Sequence, residues 1–357
     1  MSNNHTIHSI FSIIVGIFAF LHPFYGCLAQ NKITLLKPKK LSKYGILPGN
    51  YSGITNIGTD TFAIVSDKPD KQGCIIKFFK IEQSPRTGII THIKEIKNNT
   101  ICGKSSLGNR DCEDIIYNKH AQTFFICGEN DQKILEYNKD FNPTKRGLNI
   151  PSIFAINNIK PNKGFESLAF NPTDTTYWTI TESNLKTDAN LNSQRIRLRL
   201  QRFNKHLIPD KLFIYETESP IYNRIYKGYA FGVPAITFLN DSCMLVIERE
   251  VRVKKHLIGS STAIHLFAIN PNDTCSYPTN SNLSDISQCN IIHKKNVGSF
   301  TTHLRFGKMN FANYEGVCYG RKLYDGRQTI ILISDSQNGS GNIFYKVKDY
   351  LKVIIID

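Results

Sequence analysis

The chain has 357 residues, 41% of them hydrophobic and 20% charged, the values of an ordinary folded protein with ample material for a core. A net charge of +15 raises nucleic acid or an anionic surface as partners. Lys and Arg are instead spread along the chain without a dense tract or a nucleic-acid motif, so the excess reads as a generic basic surface with no nucleic acid bound.

Residues 1 to 29 read as an export signal. Ile10 to Leu21 is an apolar run too short to span a bilayer, and Cys27-Leu28-Ala29 offers small residues for cleavage before Gln30. This predicts a secreted or periplasmic protein, with a lipid anchor through Cys27 as the alternative and no transmembrane segment beyond it. The remainder, 30 to 357, reads as one domain and a monomer.

From Tyr51 onward one motif returns five times: a short apolar run, a polar turn, and a second β-rich run ending on a carboxylate. The copies pair Tyr51 to Thr55 with Thr61 to Asp67, Cys112 to Tyr117 with Thr123 to Glu129, and Gly164 to Phe170 with Thr176 to Glu182. Val233 to Phe238 then goes with Ser242 to Glu248, and Tyr314 to Tyr319 with Thr329 to Asp335. Three first runs also open near a glutamate, Glu113, Glu166 and Glu315, where Ser52 and Pro234 stand in the others.

Two further strands are predicted after each hairpin: Ile75 to Ile81 and Ile89 to Ile96, Lys133 to Tyr137 and Gly147 to Phe154, Arg195 to Phe203 and Lys211 to Glu216. The last two pairs are Ala263 to Ile269 with Ile291 to Phe300, and Asn342 to Val347 with Leu351 to Ile356. Four strands per repeat, radially repeated, predict an all-β fold, a β-propeller of five blades, or of six if Ile33 to Leu36 belongs to another.

In an antiparallel hairpin the start of the first strand lies beside the end of the second. Blades share one orientation about the axis, so Asp67, Glu113, Glu129, Glu166, Glu182, Glu248, Glu315 and Asp335 are expected at one mouth of the central channel. Two carboxylates about 5 Å apart repel by roughly 3 kcal/mol at an effective dielectric near 20, so something positive must sit among them. The candidates are basic neighbours (Lys68, Arg110, Lys163 and Arg249) and a bound Ca²⁺, which selects hard oxygen ligands. A purely structural role, with the acids locking blade to blade, is the competing explanation.

Other chemistry finds no support. There is no G-x-S-x-G elbow, H-E-x-x-H helix, P-loop or C-x-x-C pair. Trp178 reads as core. With Cys27 removed eight cysteines remain, and Cys275–Cys289, around a polar insert, is the first expected disulfide, with Cys102–Cys112 second.

Through Pro48-Gly49-Asn50-Tyr51-Ser52-Gly53-Ile54, Val65-Ser66-Asp67-Lys68, Arg110-Asp111-Cys112-Glu113, Gly164-Phe165-Glu166-Ser167-Leu168, Thr181-Glu182-Ser183, Ile247-Glu248-Arg249 and Asn313-Tyr314-Glu315-Gly316-Val317, the chain resembles the phytase-like family of secreted proteins, also described as esterase-like. The resemblance implies an exported propeller, and the more distant β-propeller phytases suggest calcium and phosphomonoester hydrolysis at the acidic face. Asp114 and Ser167 depart from the small Gly or Ala usual after the Glu.

The expectation is therefore a metal-assisted hydrolase of phosphate or other esters acting on a small anionic or ester substrate. Ca²⁺ would sit among Glu113, Glu166, Glu182, Glu315, Asp67 and Asp335. Glu129 or Glu248 would be the base, and Arg110, Arg249, Lys68 and Lys163 would hold the anion. The alternatives are a non-catalytic propeller of the cell envelope that binds a ligand, and a scaffold with calcium for stability.

Overall fold

The computed structural model describes residues 33–67, 74–102, 110–188, 194–222, 228–283, 286–287, 290–343 and 345–356. Their strands form five antiparallel sheets, each a blade whose innermost strand comes first in the chain, save that the last blade borrows its outer strand from the N-terminus.

Blade one is built from Tyr51–Gly58, Thr61–Ser66, Cys74–Gln83 and Ile90–Cys102, and blade two from Cys112–Asn118, Thr123–Gly128, Lys133–Tyr137 and Pro143–Gly147. Blade three comprises Phe165–Asn171, Thr176–Thr181, Arg197–Phe203 and Pro209–Glu216. Blade four comprises Gly228–Phe238, Met244–Val253, Ser261–Ile269 and Lys294–Arg305, with the short Lys308–Met309 at its edge. Blade five runs Asn313–Lys322, Gln328–Asp335 and Tyr350–Ile356, and its outer strand is Ile33–Leu35.

The first strands touch in a closed circle, blade one meeting both blade two and blade five. The fold is thus a five-bladed propeller. Ile33–Leu35 forms no sixth blade. It pairs antiparallel with Tyr350–Ile356, Ile33 opposite Ile356, and so fastens the two ends of the ring together. The predicted Asn342 to Val347 strand does not form among the described residues, which there make an isolated bridge between Gly341 and Lys346: Tyr350–Ile356 takes the third place in the sheet and the N-terminal strand the fourth. In blade two the outer strand ends at Gly147, and Ser152–Phe154 is a 3₁₀ turn after Pro151, which donates no backbone hydrogen bond.

The core is distributed between the blades. Five apolar clusters exist where adjacent blades face each other: one and two, two and three, three and four, four and five, and five and one. Strands packed on both faces read as nearly continuous apolar runs, as in Ile330 to Ile333 and Thr176 to Ile180. Trp178 is buried and stacked on Phe213 between blades three and four.

Cys112 and Cys275 take part in no disulfide, so the two expected bridges are not formed. Cys112 is hydrogen-bonded with Cys74 and buried, which together hold its thiol well above the usual range. Cys289, the partner expected for Cys275, lies outside the described residues, as do the export signal and Cys27. No helix among the described residues is long and apolar enough to cross a membrane.

Candidate functional site: an acidic mouth neutralised from one blade

The first two strands of every blade lose register at the same place. The break falls between Tyr51 and Gly53, Cys112 and Ile115, Phe165 and Ser167, Gly232 and Ala235, and Tyr314 and Gly316. A bulge leaves one residue unpaired and re-aims its side chain. The residues it contains are Ser52, Glu113 (with Asp114), Glu166, Pro234 (with Val233) and Glu315, so three bulges carry a glutamate. Crowding at this level demands small neighbours: a Cβ on Gly53 would come within 2.6 Å of Asp114 Cα, and one on Gly316 within 2.8 Å of the Ser52 carbonyl. Asp114 itself is buried, its carboxylate accepting from the backbone N–H groups of Ile115 and Leu168, and so ties blade two to blade three.

Backbone pairing fixes a second ring one step outward. Asp67 donates its N–H to the Asn50 carbonyl, Glu129 to Asp111 and Glu182 to Gly164, while Asp335 stands opposite Asn313. In blade four the corresponding residue, one step before the break, is Phe231, which stands opposite Glu250; Arg249 stands one step nearer the bulge, opposite Gly232. The sequence pairing of that blade was therefore two residues out: Glu250 takes the register position expected for Glu248, its carboxylate accepting from the Ile221 and Tyr222 N–H groups and the Tyr229 hydroxyl, and Arg249 beside it supplies a positive charge.

Arg249 is the counter-charge. It is buried, and its Nη1 donates to Glu315 Oε1 at 2.5 Å, its Nη2 to Glu182 Oε1 at 2.5 Å, with Glu166 Oε2 at 3.7 Å. Lys163, less buried, donates to the other oxygen of Glu182. Burial alone would raise the Glu182 carboxyl, but Arg249 and Lys163 outweigh it and hold Glu182 below the usual range. Glu166, hydrogen-bonded to Glu182, goes the other way: burial first and then the Glu182 charge push its carboxyl well above the usual range.

Beyond the reach of the arginine lies the second half of the mouth. Oxygens of Asp67, Asp111 and Glu113 lie within 4.8 Å of one another. Ligands at about 2.3–2.6 Å from a shared centre are separated by no more than about twice that distance, so the trio fits the oxygen shell of a calcium-sized ion. Burial first, then the charges of Glu166, Asp67 and Glu315, raise Glu113 far above its ordinary value; burial first, then Glu315 and Asp67, do the same for Asp335. A cation would relieve this crowding. Glu129 borders the cluster from the Glu182 side, accepting the Gly164 N–H at 2.9 Å, and burial raises it too.

Two residues expected here are placed elsewhere. Glu248 is locked by the Tyr215 hydroxyl at 2.6 Å, Lys294 Nζ at 2.7 Å and the Glu218 N–H at 2.9 Å. The Arg110 guanidinium is engaged by Asp131, the Tyr137 hydroxyl and the Lys133 carbonyl, which leaves it a structural tie within blade two. Lys68 lies outside the described residues. Asp111 was missed as a candidate ligand: it precedes the first strand of blade two, and the folded turn, in which it has a φ of 51°, brings it beside Asp67.

The opposite end of the first strands is different in kind, a cavity of about 230 Å³ lined by residues such as Ile54, Tyr117, Phe170, Pro172 and Tyr319. Negative charge is thus collected at one end of the channel.

Fold and site together define a five-bladed propeller with a carboxylate-rich mouth able to bind a metal. The chain belongs to the Phytase-like family (esterase-like activity of phytase), whose model matches residues 47–337. No curated protein matches it. Among solved structures it is similar to a member of the DUF4221 family from Bacteroides vulgatus (9% identity, 92% of this chain and 99% of that one, TM-score 0.42). It is also similar to virginiamycin B lyase from Staphylococcus aureus (13% identity, 91% and 99%, TM-score 0.35) and to a chain of a nidogen/laminin complex (10% identity, 84% and 80%, TM-score 0.34). These likenesses are too low to bear on function.

Proposed function

We propose that the protein is an exported hydrolase of phosphate or other esters, working at the acidic mouth with Ca²⁺ held by Asp67, Asp111 and Glu113 beside Glu315 and Asp335. The observation that carries this reading is the trio of carboxylate oxygens within 4.8 Å, left over after Arg249 has neutralised the opposite side of the ring. An ion there supplies Lewis-acid polarisation of an ester oxygen and a lowered pKa for water. The chain's own groups do the rest. Glu129, its carboxyl raised above the usual range by burial, accepts a proton. Glu166, its carboxyl raised by burial and by Glu182, offers one to a leaving oxygen, so that two carboxyls of one site take opposite roles. Lys163, and Lys68 next to Asp67, supply positive charge for an anionic group.

A second reading, a non-catalytic propeller that binds a ligand or serves as a scaffold, is favoured by one observation: Arg110 and Arg249, both candidates for gripping an anion, already bond to protein groups. Phosphate release from phytate and cleavage of simple aryl esters, followed with and without calcium chelation and beside Glu113→Gln, separates the two. The proposal expects turnover that chelation abolishes and Glu113→Gln lowers by two orders of magnitude or more, roughly the loss of one electrostatic element. Turnover that survives both treatments excludes this site, and no turnover on any ester favours the binding reading.

A further inference from the structure

A second cavity opens off the acidic mouth between blades four and five. Its volume is about 350 Å³, within the range of about 300–1,000 Å³ usual for small-molecule sites. Most of its wall is apolar, with Tyr229, Val251, Leu257, Phe311 and Val347, and behind it lies a separate apolar cluster. Two wall residues connect it to the mouth. Asp335 belongs to the acidic ring, and Asn313 donates its amide N–H to Glu315 Oε1 at 2.6 Å. Because that partner is a carboxylate, the amide orientation is fixed by chemistry, and the Asn313 carbonyl oxygen is left buried without a partner. A buried acceptor with no donor marks a place for a ligand group.

We infer that this cavity receives the apolar arm, an aryl ring or short alkyl chain, of an ester whose charged end lies at the acidic mouth, with Asn313 accepting from a donor on that arm. The inference rests on the ester-hydrolase reading of the mouth and narrows it: the preferred substrate is a monoester with one apolar substituent, in place of a polyanion such as phytate. Among the described residues the lining carries no lysine or arginine to pair with several phosphate groups, whereas its apolar side chains shield a ring from water.

Calorimetric titration of the calcium-loaded protein with methylphosphonate, phenylphosphonate and 4-hydroxyphenylphosphonate tests it, with Val251→Trp as a variant that fills the cavity. Phenylphosphonate should bind at least about tenfold tighter than methylphosphonate, the return on burying one ring. The hydroxyl analogue should bind tighter still. Val251→Trp should remove both gains and leave methylphosphonate unchanged. Equal affinity for the methyl and phenyl compounds in the unaltered protein overturns the inference while leaving the mouth intact, a comparison that needs no variant to fold. Failure of all three to bind overturns the reading of the mouth and this inference with it.

Discussion

Arg249 decides how the crowded carboxylates are tolerated. Three glutamates converge on one buried guanidinium, and removal of one member of such a group leaves the others uncompensated. Arg249→Met should lower stability at pH 7 by about 3–5 kcal/mol in urea titration. Part of the loss should return at pH 5, where the stranded acids can take up protons. Asp349 offers a cleaner pH test. Burial lifts its carboxyl to about 6, although the Ser336 hydroxyl and the Gly49 N–H favour its charged form. A carboxyl raised on folding stabilises below its unfolded value near 4 and loses that contribution as pH rises to about 6. The protein should therefore lose stability from this group between pH 4 and 6, and Asp349→Asn should flatten that segment of the stability profile. Sequence could not assign these partners. Arg110 looked available because Asp131 lies 21 residues away, and Glu248 looked catalytic because Tyr215 and Lys294 come from other strands.

At the scale of strands, alternation and turn residues were enough to read the hairpins and to place an acid near their shared end. The bulges were not legible, and they set the final arrangement: the break in blade four sets Arg249 opposite Gly232 with its guanidinium on Glu182 and Glu315, while Glu248 is held by Tyr215 and Lys294. Closure was equally hidden, since a three-residue strand separated from its partner by nearly the whole chain leaves no local pattern. That strand can be tested alone. Leu36, directly after that strand, donates its N–H to the Val353 carbonyl at 3.0 Å, and Leu36→Pro removes this donor from the ring fastening. The expected cost is about 3 kcal/mol in denaturant titration, with faster proteolysis near the N-terminus. An unchanged midpoint would mean that the ring is held by blade packing without the fastening.

Across the whole molecule, each blade shares a core with both neighbours, so no blade should unfold alone. Trp178, the sole tryptophan, reports on blades three and four, and its fluorescence transition should coincide with loss of the far-ultraviolet β signal. A cation bound only by the folded ring would raise the whole transition, by about 2.7 kcal/mol at a hundredfold excess over its Kd. The account rests on that ion being held by Asp67, Asp111 and Glu113. Isothermal titration of the metal-free protein with Ca²⁺, beside the Asp67→Asn, Asp111→Asn, Glu113→Gln triple variant, tests it most directly. One ion per chain should bind the unaltered protein, with release of protons, and binding to the folded variant should be lost; equal binding to both, or none to either, would contradict the account.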